Sequence, residues 1–219
     1  MNDPELFIYE TFSSIQGESS YAGIPCFFIR LAGCPLNCAW CDTRKARDIR
    51  AGTPCKVSEL IRLAQNAGIP LVEVTGGEPL AQKETPFLCS ELLRNGFQVL
   101  IETNGAADVS VLPEGVIRIL DMKTPSSGES QAMLDQNFRS VRPCDEVKFV
   151  IQDRADYDFA VEAVKRFALE DTCGHVLFSP AAGSMDPALL TEWILNDHLR
   201  VRINLQFHKI IWGPDREGV

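Results

Sequence analysis

No apolar run in this 219-residue chain approaches the ~20 residues needed to cross a bilayer. The opening segment, MNDPELFIYE, carries acids and no basic cluster, so neither a secretory signal nor a transit peptide is expected, and the cytoplasm is the expected compartment. Positive charge is also short: 21 Lys and Arg stand against 30 Asp and Glu, a net −9. A protein that grips a nucleic-acid backbone usually shows a basic surface. The largest basic run here is TRKARDIR at Thr43–Arg50, which reads first as a solvated loop. Direct nucleic-acid binding and membrane insertion therefore drop out, and chemistry on a small molecule is favoured. Internal repeats, low-complexity tracts and long linkers are all missing, so residues 1–219 read as one domain. No Gly-x-Gly-x-x-Gly follows the first expected strand, which weakens a dinucleotide-binding open sheet. A disulfide framework is not expected, because thiols stay reduced in such a compartment. Cys26 and Cys89, set among apolar neighbours, read as small core residues.

What the chain does have is a succession of short apolar runs. Cys26–Leu31, Leu71–Val74, Gln98–Ile101, Val116–Leu120, Glu146–Ile151, His175–Phe178 and Val201–Leu205 are rich in Val, Ile, Leu and Phe and bounded by turn residues, as strands are. Helical periodicity marks Val57–Ala67, Pro86–Asn95, Tyr157–Leu169 and Asp186–Asn196, the last opening with Asp186 as N-cap and Pro187 at the first helical position. Alternating strands and helices imply an α/β fold with a parallel sheet. A complete eight-unit barrel takes ~250 residues, so a shortened, partial TIM-like barrel of about six units fits this length better. Polar, glycine-rich clusters follow the strands: GCPLNCAWCDT, TGGEP, ETNG, DMKTPSSG, SPAAG and QFHK. In a parallel barrel these strand ends share one rim, where active sites are built.

The densest of these clusters places Cys34, Cys38 and Cys41 in a Cys-x3-Cys-x2-Cys array. Soft thiolates select iron–sulfur clusters, zinc or copper(I). Three close thiolates can hold one corner of a cubane and leave one iron without a protein ligand, and an open position means chemistry. A closed zinc site with a distant fourth ligand, such as His175 or His208, would use the same thiols. No second Cys-x2-Cys pair exists to hold an auxiliary cluster.

The cysteine spacing, with an aromatic residue before the last Cys, resembles the radical S-adenosylmethionine (SAM) superfamily. SIQGES, GIPCFFIRLAGCPLNCAWCDT, TGGEPL, ETNG, LDMKTPSSG, DEVKFVI and LQFHKIIW, in that order, are similar to the 7-carboxy-7-deazaguanine synthase family within it. The resemblance covers nearly the whole chain. It implies a [4Fe-4S] cluster on Cys34, Cys38 and Cys41, with SAM on the remaining iron. Cluster reduction would then cleave SAM to a 5′-deoxyadenosyl radical that abstracts hydrogen. The implied reaction contracts the ring of 6-carboxy-5,6,7,8-tetrahydropterin to 7-carboxy-7-deazaguanine with loss of ammonia, regenerates SAM and is assisted by Mg2+. A homodimer and a flavodoxin-like electron donor are implied too. A glycyl-radical activating enzyme shares the cysteine spacing but would need a protein substrate.

Carried over residue by residue, the resemblance puts the backbone of Ala39, Trp40 and Cys41 near the adenine of SAM and Gly77 at its amino group. Asp121, Met122 and Lys123 form a further SAM contact, and Ser179, Pro180, Ala181 and Ala182 another. Ile15, Gln16, Gly17, Arg30 and Thr75 fall to the substrate, and Thr43 to Mg2+. Arg30, at the end of an apolar strand, suits two-pronged recognition of a carboxylate. Each stretch also has a plainer reading: TGGEP as a strand-to-helix turn, Lys123 as a salt-bridged lysine, Trp40 as packing, Thr43 as a turn cap, Glu18 as a loop acid. The family usually has Gly where this chain has Ser19, which puts the loop's path in question. Some relatives end near Pro214 with the terminal carboxyl close to substrate; this chain runs five residues further, and the role is not carried over.

Overall fold

The computed structural model describes residues 3–213, 216 and 218; Pro214 lies outside them. One nine-stranded sheet runs in the order β3-β1-β2-β4-β5-β6-β7-β8-β9. Its parallel part comprises β2 (Pro25–Leu31), β4 (Leu71–Gly76), β5 (Gln98–Thr103), β6 (Ile117–Met122), β7 (Glu146–Ile151), β8 (His175–Pro180) and the two-residue β9 (Arg202–Ile203). Six full strands followed by connecting segments make the shortened, open barrel that the spacing predicts. The connections are uneven. α1 (Val57–Ala67), α2 (Thr85–Arg94), α4 (Arg154–Arg166) and α6 (Pro187–Asn196) are substantial helices and α3 (Asp135–Arg139) and α5 (Leu169–Thr172) short ones, whereas β5 joins β6 through only a short 3-10 turn at Val109–Val111.

Two strands were not expected. β1 (Glu5–Ile15) and β3 (Thr53–Lys56) add antiparallel to the edge beside β2. The second half of β1 is polar, ETFSSI, and hides its period; β3 contains Pro54, which an edge strand tolerates. α1 falls on its expected bounds, stopped by Gly68 at φ +67°. α4 starts three residues earlier than its apolar period shows, because Asp153 accepts a hydrogen bond from Asp156 N and caps it there. Asp186 caps α6 through Ala188 N, with Pro187 following, as expected.

Alternation along each strand divides the sheet into two faces. Ile29, Leu31, Val72, Val74, Val99, Ile101, Leu120, Val147, Phe149, Val176 and Phe178 point outward under the helices and form the main core. The inner face starts apolar at the strand beginnings, with Cys26, Phe28, Leu71, Leu100 and Ile119 packed together. Toward the strand ends it turns polar. Cys26 and Cys89 are fully buried, as their neighbours foretold.

Candidate active site

The polar upper half of the inner face lines one cavity of about 260 Å3. Strand parity puts the wall residues there: Arg30 from β2, Glu73 and Thr75 from β4, Glu102 from β5, Asp121 from β6, Lys148 from β7 and Ser179 from β8. Gln16, Gly17 and Glu18, from the loop joining β1 to β2, reach into the same space.

The cysteine loop covers one side. Gly33 N and Cys34 N donate to Ala46 O and Arg47 O, and Ala39 N donates to Ser127 O, which pins the loop across the rim. Cys34, Cys38 and Cys41 all line the cavity. Asn104 Nδ2 approaches Cys34 Sγ at 3.7 Å. Burial pushes the Cys34 and Cys38 thiols up, although Lys123 opposes it, so their thiolates would persist best against a bound cation. Among the described residues no three of His, Cys, Asp and Glu converge as a single metal ion would require. A cubane asks for a looser arrangement, since each thiolate takes a different iron. The zinc alternative also loses His175, which begins β8 at the opposite rim; His208 does line the cavity.

TGGEP serves as turn and wall together. A Cβ at Gly76 would fall 2.2 Å from Leu31 O, and one at Gly77 would fall 2.4 Å from Gly33 O and 2.9 Å from Cys34 Cβ. Only glycine lets this segment sit against the cysteine loop. Glu78, 1% exposed, accepts from Leu80 N, Asn104 N and Thr103 Oγ1, and so ties the ends of β4 and β5 together. In Asp121–Lys123, the outer residues face the cavity and Lys123 Nζ reaches Asp121 Oδ2 at 2.8 Å. Burial alone would raise Asp121, but Lys123 and Lys148 outweigh it and hold its carboxyl low. Asp121 Oδ1 is buried with no hydrogen-bond partner among the described residues, an acceptor that a ligand's donor would satisfy. Between Asp121 and Lys123, strand alternation turns the Met122 side chain into the outer core, so only its backbone belongs to this stretch. Ala39 likewise contributes no side chain to the cavity, whereas Trp40 does, with the Lys123 ammonium 5.1 Å over its ring and its own Nε1 donating to Ser126 Oγ. Ser179, Pro180, Ala181 and Ala182 line the far wall.

Ile15, Gln16, Gly17, Arg30 and Thr75 line the same cavity. Arg30 already has a partner within the protein. Its strand partner Glu10 accepts from Nε at 2.9 Å, and its guanidinium lies 5.6 Å over Phe12; among the described residues the terminal nitrogens are left for a ligand. Thr43 caps its turn by accepting from Ala46 N through its backbone, while its hydroxyl turns to Asp42 Oδ1 at 3.0 Å. Asp42 Oδ2 in turn approaches Gln206 Nε2 and Lys209 Nζ. Ser19 has a φ of +62°, a conformation that favours glycine, and is held there by Asn204 Oδ1, which accepts from its N–H, and by its own Oγ, which accepts from Tyr21 N. Burial holds the His208 imidazole below its ordinary value; it packs on Gly17, where a Cβ would fall 2.1 Å from Nδ1.

The sequence reading missed an ionic hub. Lys148 Nζ pairs with Glu102, with Glu18 Oε2 at 3.0 Å and with Asp121 Oδ2 at 3.6 Å. Glu18 is therefore no free loop acid; it fastens the β1–β2 loop inside the barrel, and Gln206 Nε2 also donates to it. The available signal was a charge at the inward parity of an apolar strand, as in LVEVTG, LIET and EVKFV, where an unpaired charge would be too costly.

The radical SAM superfamily profile matches residues 28–170. The chain is 43% identical to the 7-carboxy-7-deazaguanine synthase of Koribacter versatilis, over 97% of this chain and 99% of that one. It is 42% identical to the synthase of the same name from Chlorobaculum tepidum, over 98% and 97%. Among solved structures, QueE from Escherichia coli superposes with a TM-score of 0.75 at 25% identity, covering 93% of this chain and 95% of that one. Streptococcus suis SuiB bound to S-adenosylmethionine shares the fold alone, at TM-score 0.52 and 14% identity over 78% of this chain and 44% of that one. Full-length similarity at this level, together with three thiols opening on a polar barrel cavity, places the chain in the 7-carboxy-7-deazaguanine synthase family of the radical SAM superfamily.

Proposed function

We propose that this chain converts 6-carboxy-5,6,7,8-tetrahydropterin to 7-carboxy-7-deazaguanine with release of ammonia. The observation that carries this reading is that Cys34, Cys38 and Cys41 open on the same cavity as Gln16, Arg30 and Thr75. Bound there, a reduced [4Fe-4S] cluster with SAM supplies hydrogen-atom abstraction. The chain's own part is placement. The three thiolates hold the cluster, and Gly77, Asp121, Lys123 and the Ser179–Ala182 wall position SAM, with the orphaned Asp121 Oδ1 ready for a donor. Thr75, Gln16 and Gly17 border the pterin, and the free nitrogens of Arg30 suit its carboxylate. Thr43, backed by Asp42, offers an oxygen to Mg2+, a hard cation that keeps several waters.

The loop that borders the substrate also favours a small one. Gln16, Glu18 and Ser19 are bonded to Glu73, Lys148 and Asn204, so the loop fills room that a protein segment would need in a glycyl-radical activating enzyme. A homodimer fits the exposed Ile210, Ile211 and Trp212 of the terminal helix α7 (Phe207–Trp212), apolar surface of the kind a second copy covers. No helix among the described residues is long and apolar enough to cross a membrane. A cytoplasmic setting with a flavodoxin-like reductant completes the reading, with residues 1–219 acting as one domain.

The test is anaerobic incubation of the cluster-loaded protein with the tetrahydropterin, SAM, reductant and Mg2+, followed by mass spectrometry. The expected product is the carboxy-deazaguanine with one equivalent of ammonia; SAM cleavage without that product overturns the reading. Cys38→Ala should lose cluster and turnover together, Cys173→Ala neither, and Thr43→Val should flatten the Mg2+ titration with its cluster intact.

A further inference from the structure

Glu18, Glu73, Glu102 and Asp121 gather around the Lys148 ammonium in the cavity, with Lys123 beside Asp121, and the pairing is unequal. Lys148 serves Glu18, Glu102 and Asp121. Glu73, the fourth acid, lies on β4 two residues before Thr75 and on the same face, lines the cavity and is 2% exposed. Its hydrogen bond is with a neutral amide: Gln16 Nε2 donates to Oε2 at 2.5 Å. Among the described residues no cation forms an ion pair with it. The groups facing it from each side do not change this. β5 presents Glu102 and Leu100, β2 presents Cys26, Phe28 and an arginine, Arg30, that is paired with Glu10, the β1–β2 loop presents Gln16 and Glu18, and β7 presents a lysine already shared three ways.

We propose that Glu73 meets the substrate as an uncharged carboxylic acid, pairing with an edge of the heterocycle that carries one donor and one acceptor, such as its lactam. The inference deepens the substrate reading given above and rests on it. Gln16 donates to Oε2 and so marks that oxygen as the carbonyl, which leaves Oε1 to carry the proton. A neutral carboxyl sets a donor beside an acceptor, the complement of a lactam N–H and C=O; an ionised one could only accept, and would call for two donors. Burial foremost, and then the Glu102 charge, push Glu73 up to about 8, in agreement with the unshared geometry. Glu73 would thus sit one step deeper than Thr75 along the same strand and fix which edge of the ring faces the barrel floor.

The test uses the cluster-loaded protein and its Glu73→Gln and Glu73→Leu variants. Infrared difference spectra of the substrate-free protein at neutral pH should show a protonated carboxylic carbonyl band that Glu73→Gln removes. Equilibrium binding of the tetrahydropterin at pH 7 should be held within about threefold by Glu73→Gln, whose amide keeps a donor and an acceptor, and weakened at least about tenfold by Glu73→Leu. SAM binding and cluster absorbance should be unchanged in both. Wild-type affinity should fall as pH rises through about 8, and the Gln variant's should not. Absence of the infrared band overturns the assignment, as does a Gln variant that loses as much affinity as the Leu variant or a Leu variant that binds normally. If the band is present but the wild type does not bind the tetrahydropterin, the functional reading falls, and with it the role toward that substrate, while the protonated acid stands.

Discussion

The two faces of the barrel sheet are made of alternating residues from the same six strands, yet they are stabilised in different ways. On the outer face, Phe149, Phe178 and their neighbours gain from leaving water, and Phe178 meets Phe149 and Tyr157 edge-on at 5.6 and 5.9 Å. On the inner face, Asp121 and Lys148 are buried, and Glu102 half-buried, at a cost that only mutual pairing offsets. The outer face is tolerant in chemistry and strict in volume, and the inner face is the reverse. The strands therefore carry two instructions at once, one for cohesion and one for a polar cavity.

Lys148→Met should break the comparison most strongly. It leaves three carboxyl groups around an uncharged side chain, and the loss should reach the upper end of about 3–5 kcal/mol near neutral pH. Denaturant titrations should show that loss shrinking toward pH 5 as the acids take up protons; a pH-independent loss would mean that Lys148 acts by packing. Phe178→Ala, on the other face, should cost about 3–5 kcal/mol at either pH while sparing cluster content and SAM binding.

The titration of Glu73 sharpens the contrast further. Its folded value, about 8, lies above its ordinary 4.5. The stability tied to its proton is therefore fully present below 4.5 and is lost as pH rises toward 8, by up to about 1.4 kcal/mol per pH unit. Glu73→Gln does not titrate, so its Tm relative to wild type should climb between pH 6 and pH 8; parallel curves would show that the acid is already ionised.

The smallest effect belongs to the loop that closes the inner face. Ser19 holds φ +62°. Ser19→Gly should be more stable than Ser19→Ala by about 1 kcal/mol, because only glycine adopts that angle without strain. Equal unfolding midpoints would show that the loop relaxes to avoid it.

Legibility in the sequence followed the same division. The outer face could be read because Val, Ile, Leu and Phe recur with turn residues between them, and α1 and the cap of α6 fell where their signals lay. β1 could not, because its polar second half carries no periodic signal and is a strand only through its pairing with β2 and β3. In the site, the cysteine motif, TGGEP and Arg30 stood out by residue type and position. Lys148 and Glu73 did not, since a charge at the inward parity of an apolar strand signals that a partner is needed but not which residue supplies it. The side-chain direction of Met122 was not legible from the motif either: a contiguous triplet does not show the alternation that turns its middle residue away.

By itself, the sequence determined the α/β alternation, the thiol array and the glycines that let TGGEP lie against it, because these depend on local spacing and on the absence of a side chain. Only the tertiary structure decided which acids share Lys148, which acid is left without a cation, and that Glu10 neutralises Arg30. Glu18 lies 130 positions from Lys148 along the chain and Gln16 lies 57 from Glu73. Electrostatic pairing depends on distance through space, and the curl of the sheet sets that distance.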